Sequence, residues 1–254
     1  MNQEHGPISD DPAQFRTTCW SVILAAAESK MPGSRAALAE LCQNYWYPLY
    51  AFARRCGYTP TDAQDLTQGF FLHLLEHRAL KRVDPVKGKF RSFLLASFRN
   101  FLADEGDKAR ALKRGGGREL VHLDAETVES RYLLEPADHL TAEKIFDARW
   151  AMTLLTRAVD RLREQYAARG ELSRFAALAG FVGSDAGKAV PRYDEVARSL
   201  GISLATAKTM IHRFRKQYAS LLRQEIGRTV SDPEEIDEEI RALCDALVVA
   251  EGRI

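Results

Sequence analysis

Apolar residues recur along this chain at helical spacing and almost never at the alternate positions a half-buried strand needs. The breakers between the apolar runs set the elements. A first helix is expected from about Thr18 to Glu28, ended by Met31-Pro32-Gly33. A second runs from Ser34 to Tyr45, and Pro48 opens a separate segment to Arg55 that Gly57 closes. Thr61-Asp62-Ala63-Gln64 reads as a capping box, which starts a helix reaching about His77. After the turn at Asp84-Pro85 and Gly88 comes a helix from Phe90 to about Lys113, with Gly106 a weak point. Gly115-Gly116-Gly117 stops it. Thr141 caps a helix continuing to Ala168, where Gly170 closes it, and a short helix follows at Leu172–Leu178. The segment from Phe181 to Pro191 reads as a loop. Two helices then flank a turn at Gly201-Ile202-Ser203. Asp232-Pro233-Glu234-Glu235 supplies a cap, a proline and early acids for a last helix. The expected fold class is all-α. Two small helical domains, 14–114 and 141–228, are joined by an acidic linker over 115–140, and the second is followed by a helical extension over 229–254.

Three of these elements carry unusual faces. On the helix Thr61–His77, Ala63, Leu66, Phe70 and Leu74 make one apolar face, and Phe71, Leu72 and Leu75 widen it to roughly 240° of the wheel. Such a helix is either enclosed by its own domain or offers a patch to a partner. In Tyr193–Arg223, Val196, Ala197 and Leu200 form the inner face of a first helix, Gly201 suits a left-handed turn, Ile202 plugs the joint and Ser203 caps a second helix. Ala207, Ile211, Phe214, Tyr218 and Leu221 form a buried stripe there. Thr206, Lys208, Thr209, His212, Arg213, Arg215 and Lys216 then fall on or beside the opposite face. Short donors near a helix N-terminus with cations further along suit a recognition helix in a DNA major groove. An ordinary helical hairpin with a polar face is the plainer alternative. The last helix has an apolar stripe at Ile236, Ile240, Leu243 and Leu247. Its early acids either suit only its own dipole while the stripe docks on the second domain, or lie near the basic second helix and compete with DNA phosphate.

Charge changes the picture more than composition does. The 254 residues are 46% hydrophobic and 28% charged, ordinary for a globular protein, and the net charge is +1. That balance hides segregation. Arg78–Arg118 carries 12 Lys/Arg against 4 Asp/Glu, and Glu119–Asp147 carries 2 against 8. Arg192–Arg228 carries 8 against 3, and the segment from Thr229 onward 2 against 8. Two basic blocks, each followed by an acidic one, suggest two polyanion-binding surfaces; solvated helix faces are the alternative. In the first block Phe90, Phe93, Phe98 and Phe101 interleave with Arg91, Arg99, Asn100, Lys108 and Arg110. Rings and cations in alternation suit unpaired bases and their backbone. Most of these rings have core spacing, which leaves Phe93, Arg99 and Asn100 facing outward.

Other chemistry is sparse. Four cysteines, Cys19, Cys42, Cys56 and Cys244, have no metal or disulfide spacing, and the polar Met1–Asp11 stretch lacks a secretory pattern. Both fit a cytoplasmic protein, and no apolar run suits a membrane helix. His73-Leu74-Leu75-Glu76-His77 matches an H-x-x-E-H zinc pattern, with Glu143 as a distant third ligand. In a helix so rich in charges it is read as a coincidence, so no metal, cofactor or catalytic residue is expected.

Taken in order, the blocks resemble bacterial RNA polymerase sigma factors of the extracytoplasmic-function type, which keep only regions two and four. DAQDLTQGFFLHLLE (Asp62–Glu76) is similar to the helix that binds the polymerase clamp. KGKFRSFLLASFRNFLADEGDKARALKR (Lys87–Arg114) is similar to the part that melts and reads the minus-ten element. YDEVARSLGISLATAKTMIHRFRKQY (Tyr193–Tyr218) is similar to the part that reads the minus-thirty-five element. The resemblance implies contacts to core polymerase by Asp65, Gln68, Phe71 and Leu72. It implies minus-ten contacts by Phe93, Arg99, Asn100, Asp104, Lys108 and Arg110, and minus-thirty-five contacts by the seven outer-face residues from Thr206 to Lys216. The implied partners are core RNA polymerase and promoter DNA, with an inhibitory regulatory protein as a further candidate. A helix-turn-helix regulator acting without polymerase is the alternative. The sequence departs from the family pattern at Gly69, where Glu is usual, at Ala205 and Ala207, in the irregular stretch Gly170–Pro191, and in the added C-terminal helix.

Overall fold

The computed structural model describes residues 34–76, 89–111, 129, 132, 140–182, 190–230 and 232–250. Within the helices, the side chains of 34–38, 40, 75–76 and 108–111 are not among them. The helix expected at Thr18–Glu28 lies outside the described residues, as do His77, Lys113 and nearly all of the 115–140 linker. Every regular element among the described residues is helical, so the all-α expectation holds. The elements are α1 (Ser34–Arg55), α2 (Pro60–Glu76), α3 (Phe90–Ala111), α4 (Ala142–Ala168), α5 (Leu172–Leu178), α6 (Tyr193–Leu200), α7 (Leu204–Gly227) and α8 (Ile236–Ala250). No described helix is long and apolar enough to cross a membrane.

Two local expectations need correction. Pro48 does not open a new segment but lies inside α1, which is continuous. Proline there removes one helical hydrogen bond and costs about 3 kcal/mol. Leu41, Tyr45, Leu49 and Phe52 face one core from both sides of it, each at most 2% exposed. Burying each is worth roughly 1.5–3 kcal/mol, so packing outweighs the break. The second correction concerns α2. Its cap is Thr59, two residues before the expected Thr61. The Thr59 hydroxyl accepts from the Asp62 amide at 3.2 Å and donates to the Asp62 carboxylate at 2.7 Å. Pro60 then occupies the first helical position, where a missing N–H costs nothing.

The helices share two apolar clusters, and α4 belongs to both. Tyr45 of α1 meets Phe90 of α3 edge-on at 5.4 Å and stacks on Trp150 of α4 at 6.4 Å. Phe70 of α2 packs on Phe98 of α3 at 4.9 Å. Ile226 at the end of α7, Val230 just after it, and Ile236 and Leu243 of α8 belong to this first cluster. The second gathers Ala158, Leu162 and Tyr166 of α4 with Phe175, Leu178, Phe181, Val196, Ile211, Phe214 and Leu221. Buried positions along α4 explain the double membership. Near its start Ile145, Phe146, Ala148, Trp150 and Ala151 are buried, a wide face covered from more than one side. From Leu154 the pattern narrows to every fourth residue, Ala158, Leu162 and Tyr166. The Thr141 hydroxyl caps this helix at the Lys144 amide, as expected.

Buried charge ties distant elements together. Glu225 of α7 is 2% exposed and meets Arg157 at 3.0 Å and Arg161 at 2.6 Å on α4. Arg157 donates onward to the side-chain oxygen of Asn44 on α1. The described linker residues also pack on α1. Glu129 pairs with Arg54 at 2.7 Å and accepts from the Tyr50 hydroxyl, and Tyr132 stands edge-on to Tyr50 under the Arg54 guanidinium.

The stripe of α8 docks across the joint, on α4 and the first cluster as well as on the end of α7, not on the second domain alone. Its acids lie away from the exposed Thr206–Lys216 face of α7. Asp237 pairs with Arg223 near the end of α7, while Glu238 and Glu239 pair with Lys89 and Arg91 at the start of α3.

Candidate nucleic-acid interface

The hairpin α6–α7 is built by local chemistry. Glu195 caps α6, the Arg192 amide donating to its carboxylate at 3.1 Å, while the Glu195 amide donates to the Arg192 carbonyl at 3.1 Å. Gly201 ends α6 in the left-handed region at φ 64°, which a side chain would strain. The Ile202 amide then donates back to the Ala197 carbonyl at 3.0 Å. Ser203 turns the chain into α7, its hydroxyl accepting from the Thr206 amide at 3.1 Å. Val196, Ile211 and Phe214, each at most 3% exposed, lock the two helices against α4, and Ala207 is buried on the same face of α7. Tyr218 is half-buried, and burial pushes its hydroxyl up to about 12. The irregular stretch before the hairpin is held by a close approach: a Cβ on Gly180 would lie 2.7 Å from the Pro191 ring.

Thr206, Lys208, Thr209, His212, Arg213, Arg215 and Lys216 are all exposed on α7. Two of the expected short donors, though exposed, bond within the helix start. The Thr206 hydroxyl shares a 2.8 Å bond with Ser203, and the Thr209 hydroxyl donates to the Ala205 carbonyl at 3.2 Å. Arg215 is held in place: its guanidinium lies 5.4 Å from the Phe181 ring and donates to the Tyr193 hydroxyl at 3.3 Å. Tyr193, Lys208, His212 and Arg215 line an open groove of about 420 Å³ along this face. No acid of α8 reaches these cations among the described residues.

On α3, Phe90, Leu94 and Phe98 are fully buried, while Arg99, Asn100 and Asp104 are exposed. Arg99 lies 3.2 Å from Glu143 of α4, an exposed pair of little energetic weight. Phe93 is half-buried against Phe90 at 6.1 Å, so it faces outward only in part. The Lys108 and Arg110 side chains lie outside the described residues.

The wide apolar face of α2 divides. Phe70 and Leu74 point into the core. Phe71 follows them at 6% exposed, while Leu72 is 41% exposed next to it. Asp65 is exposed and Gln68 half-buried. Leu72, not Phe71, therefore presents apolar surface. A Cβ at Gly69 would rest on the Phe101 ring at 3.5 Å, ordinary contact. His73 packs its ring 5.4 Å from Phe101. Among the described residues no group of three His, Cys, Asp or Glu side chains converges as a metal site.

Two charge clusters escaped the sequence reading. One is Glu225 with its arginines, and the other joins Lys89 and Arg91 to Asp147 and Glu239. Both had a readable signal. Glu225 follows Leu221 by one turn, and Glu239 lies between Ile236 and Leu243, so each acid stands on an apolar stripe. An acid there needs a buried cationic partner.

The family model for sigma-70 region 2 matches residues 34–111, just under a third of the chain, which is α1 through α3. No curated protein and no solved structure matches the chain. Residues 34–111 thus match a sigma-70 region 2 domain, a domain of the sigma-70 family of transcription initiation factors. Factors of that family work in promoter recognition with RNA polymerase and are not themselves enzymes.

Proposed function

We propose that the chain is a transcription initiation factor of the extracytoplasmic-function type, made of a region-two domain and a region-four-like hairpin. The observation that carries this is their combination in one chain. A matched region 2 domain over 34–111 is followed by the α6–α7 hairpin, whose Gly201 turn presents a basic outer face to solvent. In this reading α2 binds core polymerase, with Leu72 as the apolar contact and Asp65 and Gln68 beside it. The exposed side of α3, with Arg99, Asn100 and Asp104, takes the minus-ten element, and region two captures a base turned out of the melted strand. The outer face of α7 lies in the major groove at the minus-thirty-five element. There Arg215, held by Tyr193 and Phe181, suits a phosphate, and Arg213 and His212 suit base edges. Catalysis stays with the polymerase, and the protein works in the cytoplasm. Run-off transcription with core polymerase on a pool of genomic promoters tests this. The expected result is specific initiation from a subset of promoters. A chain that retained DNA fragments yet initiated nothing would be a DNA-binding regulator acting alone.

A further inference from the structure

The exposed side of α3 runs through Ser92, Ala96 and Arg99 in steps of four and three, and the half-buried Lys89 stands one residue before the helix. Its first cations are covered, and acids cover them. The Lys89 ammonium lies 2.8 Å from Glu239 and 3.2 Å from Glu238. The Arg91 guanidinium donates to Glu239 at 2.6 Å, pairs with Asp147 of α4 and sits 5.0 Å from the Trp150 ring. Glu239 is 1% exposed, while Glu238 is 68% exposed. With α8 in place the cluster holds two cations and three carboxylates; without it, two cations and one.

Docking of α8 alone does not call for this. Ile236 and Leu243 already bury the stripe, and a well-packed apolar residue at 239 would hold the helix at least as firmly as a desolvated ion pair. The stripe instead offers a carboxylate to a lysine and an arginine at the start of the helix that carries Arg99. Carboxylates at that place present to a lysine and an arginine what a phosphodiester backbone would present.

We propose that Lys89 and Arg91 form a phosphate site for promoter DNA at the start of α3, and that Glu238 and Glu239 of α8 occupy it in the free chain. The proposal rests on the reading of α3 as nucleic-acid-binding. Binding of DNA along α3 then displaces the acidic start of α8, and by reciprocity α8 weakens DNA binding.

The test uses the full chain and a labelled single-stranded 30-nucleotide probe, with anisotropy read at about 50 and 200 mM salt. Glu238→Gln, at an exposed position, should tighten binding roughly threefold, and Glu238→Gln with Glu239→Gln roughly tenfold or more, mostly at low salt. Adding Lys89→Gln and Arg91→Gln to the double variant should remove the gain. Glu234→Gln with Glu235→Gln makes the same charge change away from the site and should leave affinity almost unmoved; an equal gain there overturns the proposal. In the unaltered chain, saturating probe should speed amide hydrogen exchange in α8, a readout independent of any variant's folding. Unchanged exchange overturns the proposal, as does unchanged or weaker binding by a folded double variant. Arg99→Ala separates the two readings. If it leaves probe affinity intact, the reading of α3 fails and takes this one with it. If it weakens binding while the glutamate variants gain nothing, only the displacement by α8 fails.

Discussion

Glu225 is one residue on which three helices depend. At 2% exposure it faces three guanidiniums, those of Arg157, Arg161 and Arg228, and Arg157 reaches α1. Glu225→Ala would remove the buried carboxylate that these cations share, and a loss of about 3–5 kcal/mol is expected from urea denaturation. A loss under about 1 kcal/mol would mean that water reaches the carboxylate. Glu129 works in a wetter place, and its effect is on pH dependence. Burial acts to raise its carboxyl, but hydrogen bonds from Arg54 and Tyr50, with the Arg54 charge, outweigh burial and hold it below the usual glutamate value. A carboxyl lowered in the fold binds fewer protons there than in the unfolded chain. Its stabilisation is therefore complete above the usual value, near pH 4.3, and is lost as pH falls through the lowered one. Melting temperatures between about pH 6 and pH 3 should fall less steeply in Glu129→Gln than in the parent. Parallel acid limbs would show that this pair contributes nothing.

At the scale of single helices, α2 makes the sharpest distinction. Phe71 and Leu72 are neighbours in sequence and opposites in exposure. Phe71→Ala should unsettle the fold by about 3–5 kcal/mol. Leu72→Ala should leave the melting curve almost unchanged and weaken core-polymerase binding by about 2 kcal/mol, if α2 is the contact. Equal polymerase binding by Leu72→Ala and the parent would move the contact elsewhere. On α7, Arg213→Ala should lower affinity roughly ten- to hundredfold at one base position if it reads a guanine, and evenly across sequences if it holds phosphate. A footprint unchanged by the substitution would count against α7 as the reading helix. These faces were legible in the sequence because they obey local rules. The Gly201 turn, the Ser203 cap and the Thr141 cap are chosen within one helical turn, and the stripe of α7 repeats over four turns. The Thr59 cap and the unbroken α1 were misread for opposite reasons. Thr59-Pro60-Thr61-Asp62 offers two threonines in competing registers, and Pro48 is a strong local signal overruled by a core that only the assembled fold supplies.

At the scale of the whole molecule, α4 decides how many units there are. The sequence suggests two domains on either side of a linker, because glycines and acids separate the two basic blocks. What the chain cannot display is that one 27-residue helix puts its first half into one cluster and its second half into the other, with α8 laid across the joint. Long-range partners such as Arg91 and Glu239, 148 residues apart, leave no local trace beyond an acid on an apolar stripe. The consequence for stability is specific. Trp46 and Trp150 both lie in the first cluster, so their fluorescence reports on that cluster. Phe214 lies wholly buried in the second. If α4 couples the clusters, Phe214→Ala should lower the melting temperature seen by tryptophan fluorescence by on the order of 10 °C, although no tryptophan of either cluster touches the site of change. Hydrogen exchange in α3 and α7 should then rise together. If the clusters unfold independently, the fluorescence transition stays in place while exchange rises in α7 alone. The two outcomes also bear on transcription. If the proposed function holds, a coupled molecule would present α3 and α7 to promoter elements at one fixed spacing, whereas independent halves could present them separately.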